Sequence, residues 1–198
     1  MTQPKNSEFF FKGKMYSCPE SVYYPSEDSY FLAENIKIKK GSFVIDVGCG
    51  AGIQSLNAFS KGASKVLSID INPDAIKAVK ENCIKAGFKE IASIQSNLFS
   101  KCNEKADVII FNPPYVVSDE IKYEALDGGK NGREILDEFI EQFPAHLAEK
   151  GTCFFLQTDI NGYAETEKKL SNNGLKVKIC AKRKDFFEEL AVYECKKE

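Results

Sequence analysis

The stretch Val44-Ile45-Asp46-Val47-Gly48-Cys49-Gly50-Ala51-Gly52 ends an apolar run in an acid followed by three glycines at alternate positions. Glycines at such a place let the backbone come close to a ligand, because they lack a Cβ and accept left-handed conformations. A dinucleotide fingerprint asks for glycine or alanine at its sixth position, whereas here that position is Ile53, so the spacing is G-x-G-x-G. Asp46 beside the loop would repel a pyrophosphate, yet it suits a ligand carrying an ammonium and a sulfonium, as S-adenosylmethionine does. About 20 residues beyond the loop, Asp70 closes the next apolar run, where a carboxylate accepts from both ribose hydroxyls. The glycines alone could form a ligand-free turn, and Asp70 alone could cap a helix; together they point to the cofactor. The expected cofactor contacts are therefore Asp46, Gly48, Cys49, Gly50, Gly52, Asp70 and its neighbour Ile71. Asn97 and Leu98, after the third apolar run, are the expected adenine neighbours, although an asparagine there also serves as a turn residue.

A second constellation, Asn112-Pro113-Pro114-Tyr115, follows the apolar run Val108–Phe111. Open α/β sheets bind ligands at the carboxyl ends of their strands, which is where this motif falls. Prolines have no N–H, so the carbonyls of Asn112 and Pro113 lie on a stiff segment and can accept from an –NH₂ group. Asn112 adds a side-chain acceptor and Tyr115 a flat face. These four residues are the expected catalytic set, with Asn112 also near the cofactor. An amide nitrogen is a poor nucleophile, so holding its hydrogens and aiming it at a methyl carbon would supply most of the rate. A strong base is not required, which fits a chain whose only histidine is His146.

Short β-branched runs at Ser42–Val47, Lys65–Ile69, Ile91–Gln95, Asp107–Phe111 and Thr152–Gln157 read as buried strands. Amphipathic stretches lie between them. One should begin at Pro73 with Asn72 as N-cap and stop at Gly87, and another should run from Asp28 to Ile36. Alternation of this kind implies a parallel, doubly wound sheet. Leu175–Ala181 and Glu188–Cys195, linked by Lys182–Phe187, read as a terminal antiparallel hairpin, and the aromatic stretch from Phe9 to Tyr24 as an irregular cap. The expected division is a cap segment, residues 1–27, and one domain, residues 28–198.

With 198 residues and 43% hydrophobic content, the chain has enough apolar mass for a sizeable core. No apolar run approaches the roughly 20 residues of a membrane helix. Seven scattered cysteines without a Cys-x-x-Cys pair argue against zinc and for a reducing, cytoplasmic setting. A net charge of -2 lacks the basic excess that drives phosphate-backbone binding, so nucleic acid is not the expected partner. Lys182-Arg183-Lys184 reads as a solvated face.

The glycine loop, Asp70 and Asn112-Pro113-Pro114-Tyr115 together resemble the HemK-type protein glutamine N5-methyltransferases. Tyr23-Tyr24-Pro25-Ser26-Glu27-Asp28-Ser29 and Asp127-Gly128-Gly129-Lys130-Asn131-Gly132-Arg133 resemble the archaeal and eukaryotic branch that modifies release factors. The resemblance implies a class I S-adenosylmethionine methyltransferase (Rossmann-like) fold, α/β, with a seven-stranded mostly parallel sheet and a C-terminal antiparallel hairpin. It implies transfer to the glutamine of a release factor's Gly-Gly-Gln motif, with Asn112 holding the amide and Glu27, Asp28 and Ser29 near the cofactor. The last three could instead be an N-cap run of the first helix. It also implies a small zinc-binding activator protein, and the uncharged strand from Ile91 to Ser96, an edge in the methyltransferase strand order, is where it would add. Asn97 departs from the aspartate usual before Leu-Phe, and the long N-terminal domain of the bacterial enzymes is not expected here. Asp127–Arg133 reads as an ordered turn anchored by Arg133. A nucleobase amino group or a lysine are the rival acceptors, and a silent cofactor-binding scaffold is the rival from another class.

Overall fold

The computed structural model describes residues 7–88, 91–185 and 187–197. Residues 1–6 of the expected cap segment and Phe186 of the expected link lie outside them. Two compact units divide at Cys102.

The first unit opens with an antiparallel hairpin of β1 (Ser7–Phe11) and β2 (Lys14–Cys18), where irregular chain was expected. The two-residue turn explains it. Lys12 and Gly13 both take positive φ, 45° and 82°, as the primed turns that match strand twist require. Along the hairpin Phe9, Phe11, Tyr16 and Cys18 are buried while Phe10 and Met15, opposite one another, face out. This period of two was hidden by aromatics on both faces.

Then come α1 (Glu27–Asn35), β3 (Phe43–Val47), α2 (Ile53–Ser60), β4 (Lys65–Asp70), α3 (Pro73–Ala86) and β5 (Ala92–Gln95). The three strands pair in parallel in the order β5-β4-β3, with Val44 opposite Val66 and Ile69 opposite Ile94. In β3 and β4, Val44, Ile45, Val47, Val66, Leu67 and Ile69 are all buried, which is why these strands read as apolar runs rather than alternating ones. The start and stop of α3 are as its sequence indicates. Asn72 Oδ1 accepts from Asp74 N at 2.9 Å, Pro73 occupies the first turn, and Gly87 closes the helix at φ 96°. Its inner face carries Ala75, Ala78, Val79, Asn82 and Cys83 at helical spacing. Asn82 there pins the hairpin, accepting from Ser17 N at 2.9 Å and donating to Ser17 O at 2.7 Å.

The second unit contains β6 (Ala106–Phe111), α4 (Glu134–His146), β7 (Leu147–Thr158), α5 (Tyr163–Asn172), β8 (Leu175–Lys184) and β9 (Glu189–Lys197). β6 and β7 are parallel; β7-β9 and β9-β8 are antiparallel. The terminal hairpin is longer than its apolar runs indicated, because lysines on an outward face do not interrupt a ladder. Phe139 of α4 packs against Phe111, Phe143 and Phe155, and the Phe155 ring stacks on Tyr193 at 5.0 Å between centroids. The two units thus hold the seven strands, mostly parallel and ended by an antiparallel hairpin, of the expected fold class. Among the described residues no helix is long and apolar enough to cross a membrane.

Candidate active site

In the first unit β3 gives way at Val47 to a loop whose Gly48, Gly50 and Gly52 have φ of 59°, 52° and 93°. The glycines differ in purpose. A Cβ on Gly52 would lie 2.7 Å from Val79 Cγ2, so that glycine lets α2 start against α3. A Cβ on Gly50 would meet Tyr23 O and Val22 Cγ1 at 3.9 Å, an ordinary van der Waals contact, so this glycine answers to its backbone at φ 52° rather than to crowding. Asp70, at the end of β4, accepts from Gly50 N and Asn72 N, each at 2.9 Å, one on each carboxylate oxygen. These two bonds orient the carboxylate at the end of the strand, between the glycine loop and the start of α3. Ser96 N donates to Asp70 O at 2.9 Å, which brings the turn holding exposed Asn97 and buried Leu98 next to this acid. Ile71 is 46% exposed beside it.

Asp46 sits beneath the loop and is 1% exposed. Its Oδ2 accepts from Ser55 Oγ at 2.6 Å, and Ser55 in turn bonds Ser68 at 2.7 Å. Burial pushes its carboxyl up to about 7, against the opposing pull of the Ser55 bonds. The Cys49 thiol is also buried, which holds it well above the usual thiol range.

The segment Ser26–Ser29 does more than start α1. Ser26 is the N-cap but makes no side-chain capping bond. Asp28, buried, accepts from Ser29 N at 2.6 Å, Ser29 Oγ at 3.2 Å and the Tyr23 hydroxyl at 3.0 Å. Gln54 Nε2 donates to Ser29 O at 2.8 Å and Asn57 Nδ2 to Ala33 O at 2.7 Å, tying α1 to the helix that the glycine loop opens. Glu27 is exposed.

In the second unit Asn112-Pro113-Pro114-Tyr115 leaves β6 directly after Phe111. Asn112, Pro114 and Tyr115 are half-buried and Pro113 is buried. The chain then loops out and returns, with Val116 N bonded to Leu126 O at 3.0 Å and Gly128 N to Val116 O at 2.8 Å. Asp127 closes this loop by accepting from Lys122 N and Tyr123 N, both at 2.8 Å. Arg133, 5% exposed, is the expected anchor. Its guanidinium donates to Asn161 O, to Gly162 O at 3.2 Å and to Thr166 Oγ1 at 2.8 Å, and pairs with Asp137 at 2.5 Å. Asn161, which sequence reasoning missed, donates to Tyr115 O at 2.9 Å. Its only local signal is the Thr158-Asp159-Ile160-Asn161 capping pattern.

The first unit therefore offers a loop whose three glycines all take positive φ and, beside it, an oriented carboxylate, a set of groups whose chemistry fits an adenosyl ribose. No group of metal ligands occurs among the described residues. His146 Nδ1 lies 3.1 Å from Glu104 O, so the lone histidine is engaged at the foot of β6 rather than at the motif that follows its other end.

The family model of the methyltransferase small domain matches residues 26–187. The chain is 44% identical over 177 residues to a putative protein N5-glutamine methyltransferase of Methanocaldococcus jannaschii, covering 86% of this chain and 89% of that protein. It resembles the solved Mtq2-Trm112 complex of E. cuniculi, described as responsible for methylation of the eRF1 translation termination factor. The TM-score is 0.71 at 25% identity, over 90% of this chain and 99% of that one. The T. thermophilus 16S rRNA methyltransferase RsmC, solved with AdoMet and guanosine, shares the fold at TM-score 0.71 and 17% identity, over 100% of this chain and 52% of that one. The chain belongs to the methyltransferase small-domain family and, within it, to the S-adenosylmethionine-dependent protein N5-glutamine methyltransferases of HemK type.

Proposed function

We propose that this chain methylates the side-chain amide nitrogen of the glutamine in a release factor's Gly-Gly-Gln motif. The observation that carries the reading is Asn112-Pro113-Pro114-Tyr115 at the carboxyl end of β6, a set of carbonyl acceptors on a stiff segment. The relatives support it, one being named for glutamine N5 and another described as acting on eRF1. When bound, S-adenosylmethionine supplies an electrophilic methyl on a sulfonium. Asp70 accepts from the ribose hydroxyls, and the glycine loop lets the backbone lie against the ligand. Asn112 accepts one N–H of the glutamine amide through its side-chain oxygen and donates to the glutamine carbonyl through its nitrogen. The carbonyl of Pro113 takes the second N–H. Holding both groups of a planar amide selects against an amine. The new N–CH₃ bond would form as the sulfonium C–S bond breaks, and the nitrogen, made acidic by the developing charge, would pass its proton to solvent water, so that positioning supplies most of the rate.

The same reading includes a small zinc-binding activator protein on β5. Ala92–Gln95 carries no charge and pairs with β4, whereas the strand at the other unit's margin, β8, carries Lys176, Lys178, Lys182, Arg183 and Lys184. Charges are how natural sheets blunt an edge, so the uncharged one is the edge reserved for strand addition. Ile94→Pro removes an N–H from this strand and is expected to abolish co-purification of the partner from cell extract; equal recovery would sink the edge assignment. All seven cysteines are thiols, which suits the cytoplasm.

The function is tested by supplying labelled S-adenosylmethionine with purified release factor, its Gln-substituted variant, histones and oligonucleotides in parallel. Label in the release factor that vanishes in the Gln variant is the expected result. Label in oligonucleotides or histones instead would overturn it.

A further inference from the structure

Asn161 ends a 3-10 turn, Asp159–Asn161, between β7 and α5, and is 1% exposed. Its side chain is used at every polar atom. Nδ2 donates to Tyr115 O at 2.9 Å, Asn131 O at 3.1 Å and Gly132 O at 3.3 Å, while Oδ1 accepts from Thr158 N at 3.1 Å and Thr158 Oγ1 at 2.9 Å. Two amide hydrogens thus serve three carbonyls, and the two Thr158 bonds fix which end of the amide faces them. Arg133 holds the turn from behind through the Asn161 carbonyl, and Thr166 and Asp137 hold Arg133. Gly132 stands against the same carbonyl; a Cβ there would overlap both Tyr115 O and Asn161 Nδ2.

We propose that Asn161 is a positioning residue for methyl transfer, clamping the Tyr115 carbonyl to the Gly129–Gly132 turn so that Asn112–Tyr115 leaves β6 along one path. The proposal rests on the reading of Asn112–Tyr115 as the acceptor motif. Pro113 and Pro114 have no N–H to give a neighbouring strand, so their part of the segment offers only carbonyls by which the backbone can be held. Tyr115 O is one so fixed, and the clamp reaches it from a turn 46 residues later. An acceptor amide aimed at a methyl carbon tolerates little drift, so loosening the clamp acts on turnover rather than on cofactor binding.

Asn161→Asp separates this role from a merely structural one. The aspartate keeps an oxygen for Thr158 but turns the second oxygen toward three carbonyls. Ionised, that oxygen repels them; protonated, it donates one O–H again. We expect kcat on release factor to fall by about 10²-fold at high pH, with S-adenosylmethionine affinity within a few-fold of wild type. The deficit relative to wild type at the same pH should shrink as pH is lowered. Thr158→Val, nearly isosteric, loses one of the bonds that orient the Asn161 amide and should lower kcat several-fold with the cofactor Kd unchanged. Wild-type turnover in both variants overturns the proposal. So does a loss in Asn161→Asp that is independent of pH and accompanied by weakened cofactor binding. Asn112→Ala in the same assay distinguishes the two claims. An inactive Asn112→Ala beside normal Asn161 and Thr158 variants overturns the clamp alone, whereas a fully active Asn112→Ala overturns the acceptor reading beneath it.

Discussion

Asp70 accepts from the Gly50 and Asn72 backbone N–H groups, which orients the carboxylate proposed to meet the ribose. Asp70→Ala should weaken S-adenosylmethionine binding by roughly tenfold or more, since hydrogen bonds to a charged acceptor contribute about 1.5–3 kcal/mol. Calorimetry giving an unchanged Kd would remove Asp70 from the cofactor site. Asp46, expected from sequence to face the ligand's positive charges, has its carboxylate buried on Ser55, and its effect should appear in stability. The unfolded chain ionises near the ordinary aspartate value of 3.8, while the folded one holds the proton up to about 7. Below the first pH both states are protonated and nothing is lost. Between the two pH values only the unfolded state releases the proton, so stability falls as pH rises and levels off above about 7. Denaturation of the ligand-free protein should show this slope, and Asp46→Asn should lack it. That Asp46 and Asp70 flank the glycine loop was legible from their spacing. That Asp46 is buried on Ser55 while Asp70 bonds the loop was not, because both residues end or lie in strands and only the packing of α2 tells them apart.

At the scale of elements, the loop, α2 and α3 act together. Gly52 has φ 93° and its missing Cβ leaves room for Val79, so Gly52→Ala combines backbone strain with overpacking. A cost of about 2–4 kcal/mol follows, read as a lower urea midpoint at unchanged slope. An unchanged midpoint would mean that α2 and α3 lie further apart than described. Strand and helix identities were readable because each depends on local periodicity, as the Asn72 cap and Gly87 stop of α3 illustrate. The β1–β2 hairpin was not, since Phe10 and Met15 on the outward side masked the alternation and the Lys12-Gly13 turn is an uncommon pair. The Asp28–Ser29 segment was ambiguous for a different reason. A capping run and a clamp on α2 look alike until Gln54 is seen bonded to Ser29 O.

For the molecule as a whole, the thiols give a simple test of the burial pattern. Six of the seven cysteines are buried and Cys180 alone is half-exposed. Burial pushes Cys18 up to about 11 and Cys83 up to about 12, which suppresses the reactive thiolate. Thiol titration of the native protein should therefore modify Cys180 first and the others only on unfolding; rapid modification of several would contradict the packing. The sequence by itself determined the strand and helix alternation that follows the first hairpin, the G-x-G-x-G loop with Asp70, the Asn112–Tyr115 motif and the acceptor class they resemble. These are matters of residue type at short spacing, which is where periodicity, turn chemistry and motif spacing act. Only the tertiary structure decided that Asp46 is sealed under α2, that Asp70 brackets the loop and α3, and that Asn161 clamps Tyr115 from 46 residues away. Contacts over that separation are made when packing brings distant backbone groups to a side chain, and no local pattern in the chain records them.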